Sequence, residues 1–395
     1  MTPASRSRPL RTAAGRVRIA AGRVVVPDGD LTPGWVEVAD GRIAAVQAGW
    51  PDAADVALPQ GVVLPGFVDL QVNGAAGVDF LTVEDPAALD PALRHLAATG
   101  VTGFLPTLIS APLPVVRRAL EVLSAARAAD RPGPRILGVH LEGPFLHPAH
   151  AGAHDVAWLQ APSVELAEAL LDGPGAAVRL VTLAPELPGA GAVIAALRAR
   201  GVVVAAGHSG ADLTAARAAF DAGVAMVTHL FNAMRPFHHR EPGLAGAALL
   251  DGRVRASLIL DDVHLHPATA ALALRLLGPE RAVLVTDAVA AAGAPPGTYR
   301  LGTREVVAQD GAVRLPDGTL AGSLLTMDAA VRRALALGAT CRDVARMAAL
   351  TPAALLGVPA GLRPGNPADL VVLDEGGQVQ LTLVGGAVAF QAGRP

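Results

Sequence analysis

Eight apolar runs of strand length, most of them separated by helical stretches, constrain this 395-residue chain more than any other feature. They are Gly66 to Val72, Thr102 to Leu108, Ile136 to Leu141, Val178 to Leu183, Val202 to Ala206, Ala225 to His229, Arg255 to Leu260 and Ala282 to Thr286. Stretches rich in Ala, Leu and Arg lie between them: Pro86 to Ala98, Leu113 to Ala129, Val164 to Leu171, Val193 to Arg200, Leu213 to Ala222 and Pro267 to Leu277, with Leu324 to Leu337 after the last. This alternation predicts an α/β fold, a (β/α)8 TIM-like barrel, with a doubly wound open sheet as the alternative. Polar residues close run after run at the C-terminal end, where barrel sites lie, and this favours the barrel. Gly302 to Leu320 reads as an inserted hairpin region.

The two ends of the chain read differently. Short alternating runs are punctuated by Asp40-Gly41 near the start and by Asp374-Glu375-Gly376-Gly377 and Gly385-Gly386 near the end. Asp-Gly between such runs is a strong hairpin signal. Neither piece alone buries a face, so residues 16–63 and 360–395 are expected to pair as a small β-sandwich domain. Residues 64–359 would then form the barrel domain.

Composition removes several classes of function. A net charge of −3 leaves no footprint for nucleic acid. One cysteine, Cys341, excludes an intramolecular disulfide framework and fits a reducing compartment. No apolar run is long enough to span a membrane, so a soluble, cytoplasmic protein is expected. Met1 to Ile19 carries Arg and Ser without acids, as transit peptides do, but is read as a frayed terminus. All 32 residues of the Lys+Arg count are arginine. A Schiff-base lysine, a P-loop lysine and a carboxylated lysine between two metals are therefore impossible.

Four of the strand-like runs end in candidate chemistry: Glu142, His208, His229 and Asp287. The first three offer one oxygen and two imidazole nitrogens. That set suits one divalent metal, Zn2+ first, with Fe2+, Mn2+ or Co2+ also compatible. Any one of these histidines could equally be structural; their joint position at strand ends is what points to a site. Asp287 beside a metal can act as general acid and base, although a turn or cap aspartate would read the same. Gln71 and Asn73 stand two apart at the first strand end, where a second metal would need histidines, so a single strongly bound metal is expected. His154, in the loop after Glu142, could polarise a carbonyl, whereas His150 reads as an exposed loop residue and His147 is left without a role. Arg240, near His238 and His239, could hold an anion, as could His264 and His266 after Asp261-Asp262.

At these residues the chain resembles the amidohydrolase superfamily and, within it, N-acetylglucosamine-6-phosphate deacetylases. The resemblance rests on Leu64-Pro65-Gly66-Phe67-Val68-Asp69, His140-Leu141-Glu142-Gly143-Pro144-Phe145, Gly207-His208-Ser209, Thr228-His229-Leu230-Phe231-Asn232-Ala233-Met234, Arg240-Glu241-Pro242-Gly243 and Val285-Thr286-Asp287-Ala288. It implies metal ligands at Glu142, His208 and His229, an acid/base at Asp287 and carbonyl polarisation by His154. It also implies sugar and phosphate contacts at Ala153, His154, Asn232, Ala233, Arg240, Asp261, Asp262, Val263, His264, Leu320, Ala321 and Gly322. Arg240 and His264 would meet the phosphate, partly across a homodimer interface. Many relatives carry lysine where this chain has His150-Ala151-Gly152, and Asp262 and His266 also depart from the common pattern. The expected reaction is removal of acetate from N-acetyl-D-glucosamine 6-phosphate. The galactosamine epimer and a non-catalytic scaffold are the competing readings. Cyclic-amide hydrolysis is disfavoured by the missing lysine.

Overall fold

The computed structural model describes residues 15–129 and 131–393. Residues 1–14, most of the segment read as a frayed terminus, lie outside the described residues, and Arg16 already begins a strand. The eight expected barrel strands all form, at Phe67–Val72, Val101–Ile109, Val139–Glu142, Val178–Leu183, Val203–Ala206, Met226–Val227, Arg255–Leu258 and Ala282–Leu284. From the second strand to the eighth each pairs in parallel with the next, and the first pairs with the second. The ring closes beyond the last strand. Asp287 N–H donates to Gln71 O at 2.8 Å, and Asn73 N–H donates to Ala288 O at 2.7 Å.

Each barrel strand is followed by a helix: α1 (Asp90–Ala98), α2 (Leu113–Ala128), α3 (Val164–Leu171), α4 (Ala190–Ala199), α5 (Leu213–Ala222), α6 (Gly243–Leu250), α7 (Pro267–Leu277) and α8 (Met327–Ala336). Their local sequence explains them. In α2, the buried residues Val116, Ala119, Leu120, Leu123 and Ala126 recur at helical spacing and face the sheet. Asp212 caps α5 by accepting from Ala215 N, and Gly223 ends it in the left-handed conformation. The second strand is buried along all nine residues, as a strand with helices on one side and a filled barrel on the other must be.

Both chain ends build one further sheet, ordered 379–384 beside 370–373, then 56–65, 16–26, 34–39 and 42–48, with 387–391 and 29–31 at its margins. It is one continuous curled sheet. The 34–48 hairpin curls back to the segment that leads into 370–373, where Ile43 N–H bonds Asn366 O at 2.9 Å and Ala368 N–H bonds Gly41 O at 2.9 Å. Alternation divides its two faces. Val24, Val63, Leu370 and Val372 join the sheet's own core, whereas Val25, Leu64, Val371 and Leu373 pack with the barrel. The inserted region after the eighth strand is larger than a hairpin. It is a three-stranded antiparallel sheet of Gly297–Leu301, Arg304–Gln309 and Ala312–Arg314. Buried Asp79 tethers it, accepting from Gly302 N at 2.6 Å.

Candidate active site

The C-terminal mouth of the barrel gathers the four expected residues. Glu142 ends the third strand, while His208, His229 and Asp287 stand just past the fifth, sixth and eighth. The last three share an unusual backbone, with φ of 49°, 30° and 50°. Non-glycine residues rarely adopt the left-handed region, and those that do concentrate at functional sites. Here it turns the two imidazoles and the carboxylate inward after the ladder has ended. Gly143 also has positive φ, and a Cβ there would lie 2.3 Å from Ser110 Oγ, so the turn after Glu142 requires glycine.

Glu142 Oε1 lies 3.2 Å from His208 Nε2 and 3.0 Å from His229 Nε2, and the two nitrogens are 3.1 Å apart. His208 Nδ1 is 2.9 Å from His150 O. A carbonyl only accepts, so Nδ1 carries the proton and a neutral His208 turns a lone pair toward Glu142 Oε1, itself an acceptor. Two acceptors facing each other at that distance call for a positive charge between them. The donor set of one carboxylate and two imidazoles, all buried, therefore fits a divalent metal ion. Burial would push the Glu142 carboxyl up, but His154, His208 and His229 outweigh it and hold the carboxyl well below its usual range.

Asp287 is different. Burial and, next, the Glu142 charge raise its carboxyl to about 8. Its Oδ1 accepts from Asn73 Nδ2 at 2.7 Å. His154 Nδ1 accepts from Ser110 N–H at 3.2 Å, so a neutral ring carries its proton on Nε2. That nitrogen lies 3.7 Å from Glu142 Oε2. The arrangement puts a hydrogen-bond donor, His154, and a carboxyl able to exchange a proton, Asp287, in the same cavity as the triangle.

These groups line a cavity of about 310 Å3 with Ala153, Asn232, Ala233, His264, Leu320 and Gly322. Other expected contacts lie elsewhere in the chain. Ala321 is fully buried, Asp262 is paired with Arg333 at 2.7 Å, and exposed Arg240 bonds His239 rather than lining the cavity. Asp261 accepts from Val263 N, His264 N and His264 Nδ1, which fixes the His264 ring. His147 accepts from Ala149 N–H, and His266 caps α7. Ser110, Leu301 and Thr319 take part without having been singled out in the sequence. Ser110 follows the second strand and carried the same strand-end signal as the others. Leu301 and Thr319 arrive with the inserted sheet, which has no fixed register to the barrel motifs.

A polar layer lies beneath the cavity. His140 sits between Thr107 and Thr182, 3.3 and 2.8 Å away, and burial lowers it to about 4, so it is neutral. Burial raises Asp69 to about 7, although Thr286 Oγ1 donates to it at 2.6 Å.

A sequence model of the amidohydrolase family matches residues 62–389. An N-acetylgalactosamine-6-phosphate deacetylase from Escherichia coli O157:H7 is 39% identical over 376 residues, 94% of this chain and 98% of that protein. The human N-acetylglucosamine-6-phosphate deacetylase is 41% identical over 346 residues, covering 84% of each. A mutant N-acetyl-D-glucosamine-6-phosphate deacetylase from Mycobacterium smegmatis, solved in complex with N-acetyl-D-glucosamine-6-phosphate, superposes with a TM-score of 0.91. It is 38% identical, and the match covers 96% of this chain and all of that one.

Proposed function

The chain belongs to the amidohydrolase family, and from that premise we propose that it hydrolyses N-acetyl-D-glucosamine 6-phosphate to D-glucosamine 6-phosphate and acetate. The observation that carries this reading is the convergence of Asp287, His154 and the Glu142/His208/His229 triangle on one cavity. Glu142, His208 and His229 would hold the cation, with zinc the first expectation for this donor set and Fe2+, Mn2+ or Co2+ compatible with it. A divalent cation there supplies Lewis acidity toward water and the amide carbonyl.

The chain's own groups move the protons. Asp287 accepts a proton from the attacking water through the carboxylate oxygen that Asn73 leaves free. His154 Nε2–H donates to the carbonyl oxygen as negative charge develops on it. Asp287 then returns its proton to the departing nitrogen, because an unprotonated amide anion is a very poor leaving group. Ala153, Asn232, Ala233, Leu320 and Gly322 shape the sugar pocket. The Asp261–His264 turn stands at the phosphate end, where His264 meets the phosphate.

The same reading makes the enzyme a cytoplasmic homodimer in which Arg240 reaches the phosphate of the partner subunit's site. Its support is the exposure of large apolar side chains on neighbouring elements that follow the sixth and seventh strands: Phe237, Leu250, Val263, Leu272 and Leu276 are each at least one-third exposed. Exposed apolar surface of this kind marks interfaces. Leu272→Glu together with Leu276→Glu should convert a dimer to monomer in sedimentation velocity and raise KM more than it lowers kcat. A wild-type monomer would exclude the dimer.

The deciding experiment is acetate release by metal-loaded protein from N-acetylglucosamine 6-phosphate, the galactosamine epimer and the unphosphorylated sugar. Release should be fastest from the first, stop after chelation and return with zinc. Faster release from the epimer would reassign the substrate. Stoichiometric metal without release from any of them would reject the deacetylase reading.

A further inference from the structure

His229 and Asp287 hold a left-handed backbone, with φ of 30° and 50°, that non-glycine residues keep only where their neighbours impose it. One buried serine grips each of them. We propose that Ser257 and Ser323 are positioning residues, the first for the proposed metal ligand His229 and the second for the proposed proton carrier Asp287. Ser257 lies in the seventh strand and is fully buried. Its Oγ accepts from His229 N–H at 2.7 Å, and its carbonyl accepts from Leu230 N–H at 2.9 Å. Ser323, also buried, bonds the opposite groups. Its Oγ–H donates to Thr286 O at 2.6 Å, and its N–H donates to Asp287 O at 2.8 Å.

The planar peptides before and after a residue are the two bodies that φ and ψ rotate. A single residue bonded to both planes fixes their relation, and the side chain between them keeps one direction. Ser323 is itself held, its Oγ accepting from Leu325 N–H at 2.9 Å and its carbonyl from Val289 N–H at 3.2 Å. A Cβ on Gly322 would lie 2.9 Å from Asp287 O, so this segment is pressed against the Asp287 turn. Leu320 and Gly322 of the same segment line the cavity, and Ala321 N–H donates to Val313 O at 3.0 Å. The grip on Asp287 therefore extends to the pocket wall and the inserted sheet. His208 is held differently. The peptide after it is bonded at both ends, His208 O by His147 N–H at 3.0 Å and Ser209 N–H by Ala233 O at 3.2 Å, so neither serine bears on it.

Ser257→Ala and Ser323→Ala each remove one hydroxyl and should produce different losses. Ser257→Ala should weaken zinc binding, read by chelator competition, by about 10- to 100-fold. Ser323→Ala should leave zinc binding unchanged and lower kcat for acetate release by about 10- to 100-fold at nearly constant KM, as misplacing a reacting group does. In an Asp287→Asn background Ser323→Ala should cost almost nothing further, whereas a general loss of stability would cost as much in both backgrounds. This kinetic arm rests on the deacetylase reading; amide hydrogen exchange does not. Ser323→Ala should speed exchange at the Asp287 amide by about fivefold, as the loss of one hydrogen bond allows, and leave the fourth strand unchanged. If either alanine variant unfolds, the cysteine variant, which fills the same space with a weak hydrogen-bonding sulfur, takes its place. Equal loss of zinc in the two variants, or unchanged Asp287 exchange in the Ser323 variant, would overturn the proposal. Faster exchange in a protein that releases no acetate would support the serine grip while rejecting the deacetylase reading.

Discussion

Two carboxylates on one cavity carry opposite assignments because their surroundings differ. Glu142 faces three imidazoles and stays ionised. Asp287 faces burial and the charge of Glu142, with one amide donor to offset them. The first is suited to hold a cation and the second to exchange a proton. Asp287→Asn keeps the shape and the Asn73 contact but removes the exchangeable proton. Turnover should fall by about 10²- to 10⁴-fold, the range general acid–base catalysis contributes, while bound metal stays stoichiometric. Near-normal turnover, or loss of the metal, would remove Asp287 from its role. The residue types of this site were readable at once, since Glu, His, His and Asp each close an apolar run. Their left-handed backbone was not, because any residue type can be forced into that region when the surrounding structure fixes it.

At the scale of the element, the turn after the third strand shows how tightly a short motif is bound to its neighbours. Gly143 faces Ser110 Oγ, and Ser110 holds His154. Gly143→Ala must both strain φ and displace Ser110, so it should destabilise the protein by about 1–3 kcal/mol. It should also lower kcat through His154. Denaturant midpoints and kinetics on the same preparation check both, and an unchanged midpoint would contradict the close approach. The helices α3, α5 and α7 match their expected spans because each has an apolar stripe and a cap. By contrast α6, Gly-Leu-Ala-Gly-Ala-Ala-Leu-Leu, is apolar almost all round and is not among the helices the sequence suggests. Without a polar face there is no 3.6-residue period to read. The inserted sheet was underestimated for a related reason: its first strand, Gly297–Leu301, lies almost wholly on the surface and lacks a hydrophobic pattern.

At the scale of the whole molecule, strand–helix alternation declared the barrel, and hairpin signals at both ends declared the second sheet. What alternation could not declare was which side chains fill the barrel's interior. Asp69 and His140 read as parts of apolar runs yet form a polar layer under the site. That layer makes stability depend on pH. Burial raises Asp69 to about 7 and Asp287 to about 8 in the folded chain, above the ordinary value of 3.8. A raised carboxyl binds its proton more tightly when folded, so its contribution is full at low pH and is lost as pH rises through the folded value. Metal-free protein should therefore lose stability between about pH 4 and pH 8, by up to about 4 kcal/mol from Asp69 alone. Urea midpoints across that range should fall, and Asp69→Asn should flatten part of the slope. An identical slope in the variant would mean that Asp69 is ionised in the folded chain.

The ring of strands is completed by the backbone of the residue assigned to carry the proton. Asp287 N–H reaches Gln71 O, and Asp287 O accepts from Ser323 N at 2.8 Å. Part of the barrel's clasp and the proposed proton carrier are thus one residue. The seam between first and eighth strands cannot part without withdrawing the carboxylate from the cavity. On that proposal turnover becomes a gauge of closure, and the exchange rate of the Asp287 amide hydrogen should track how often the seam opens.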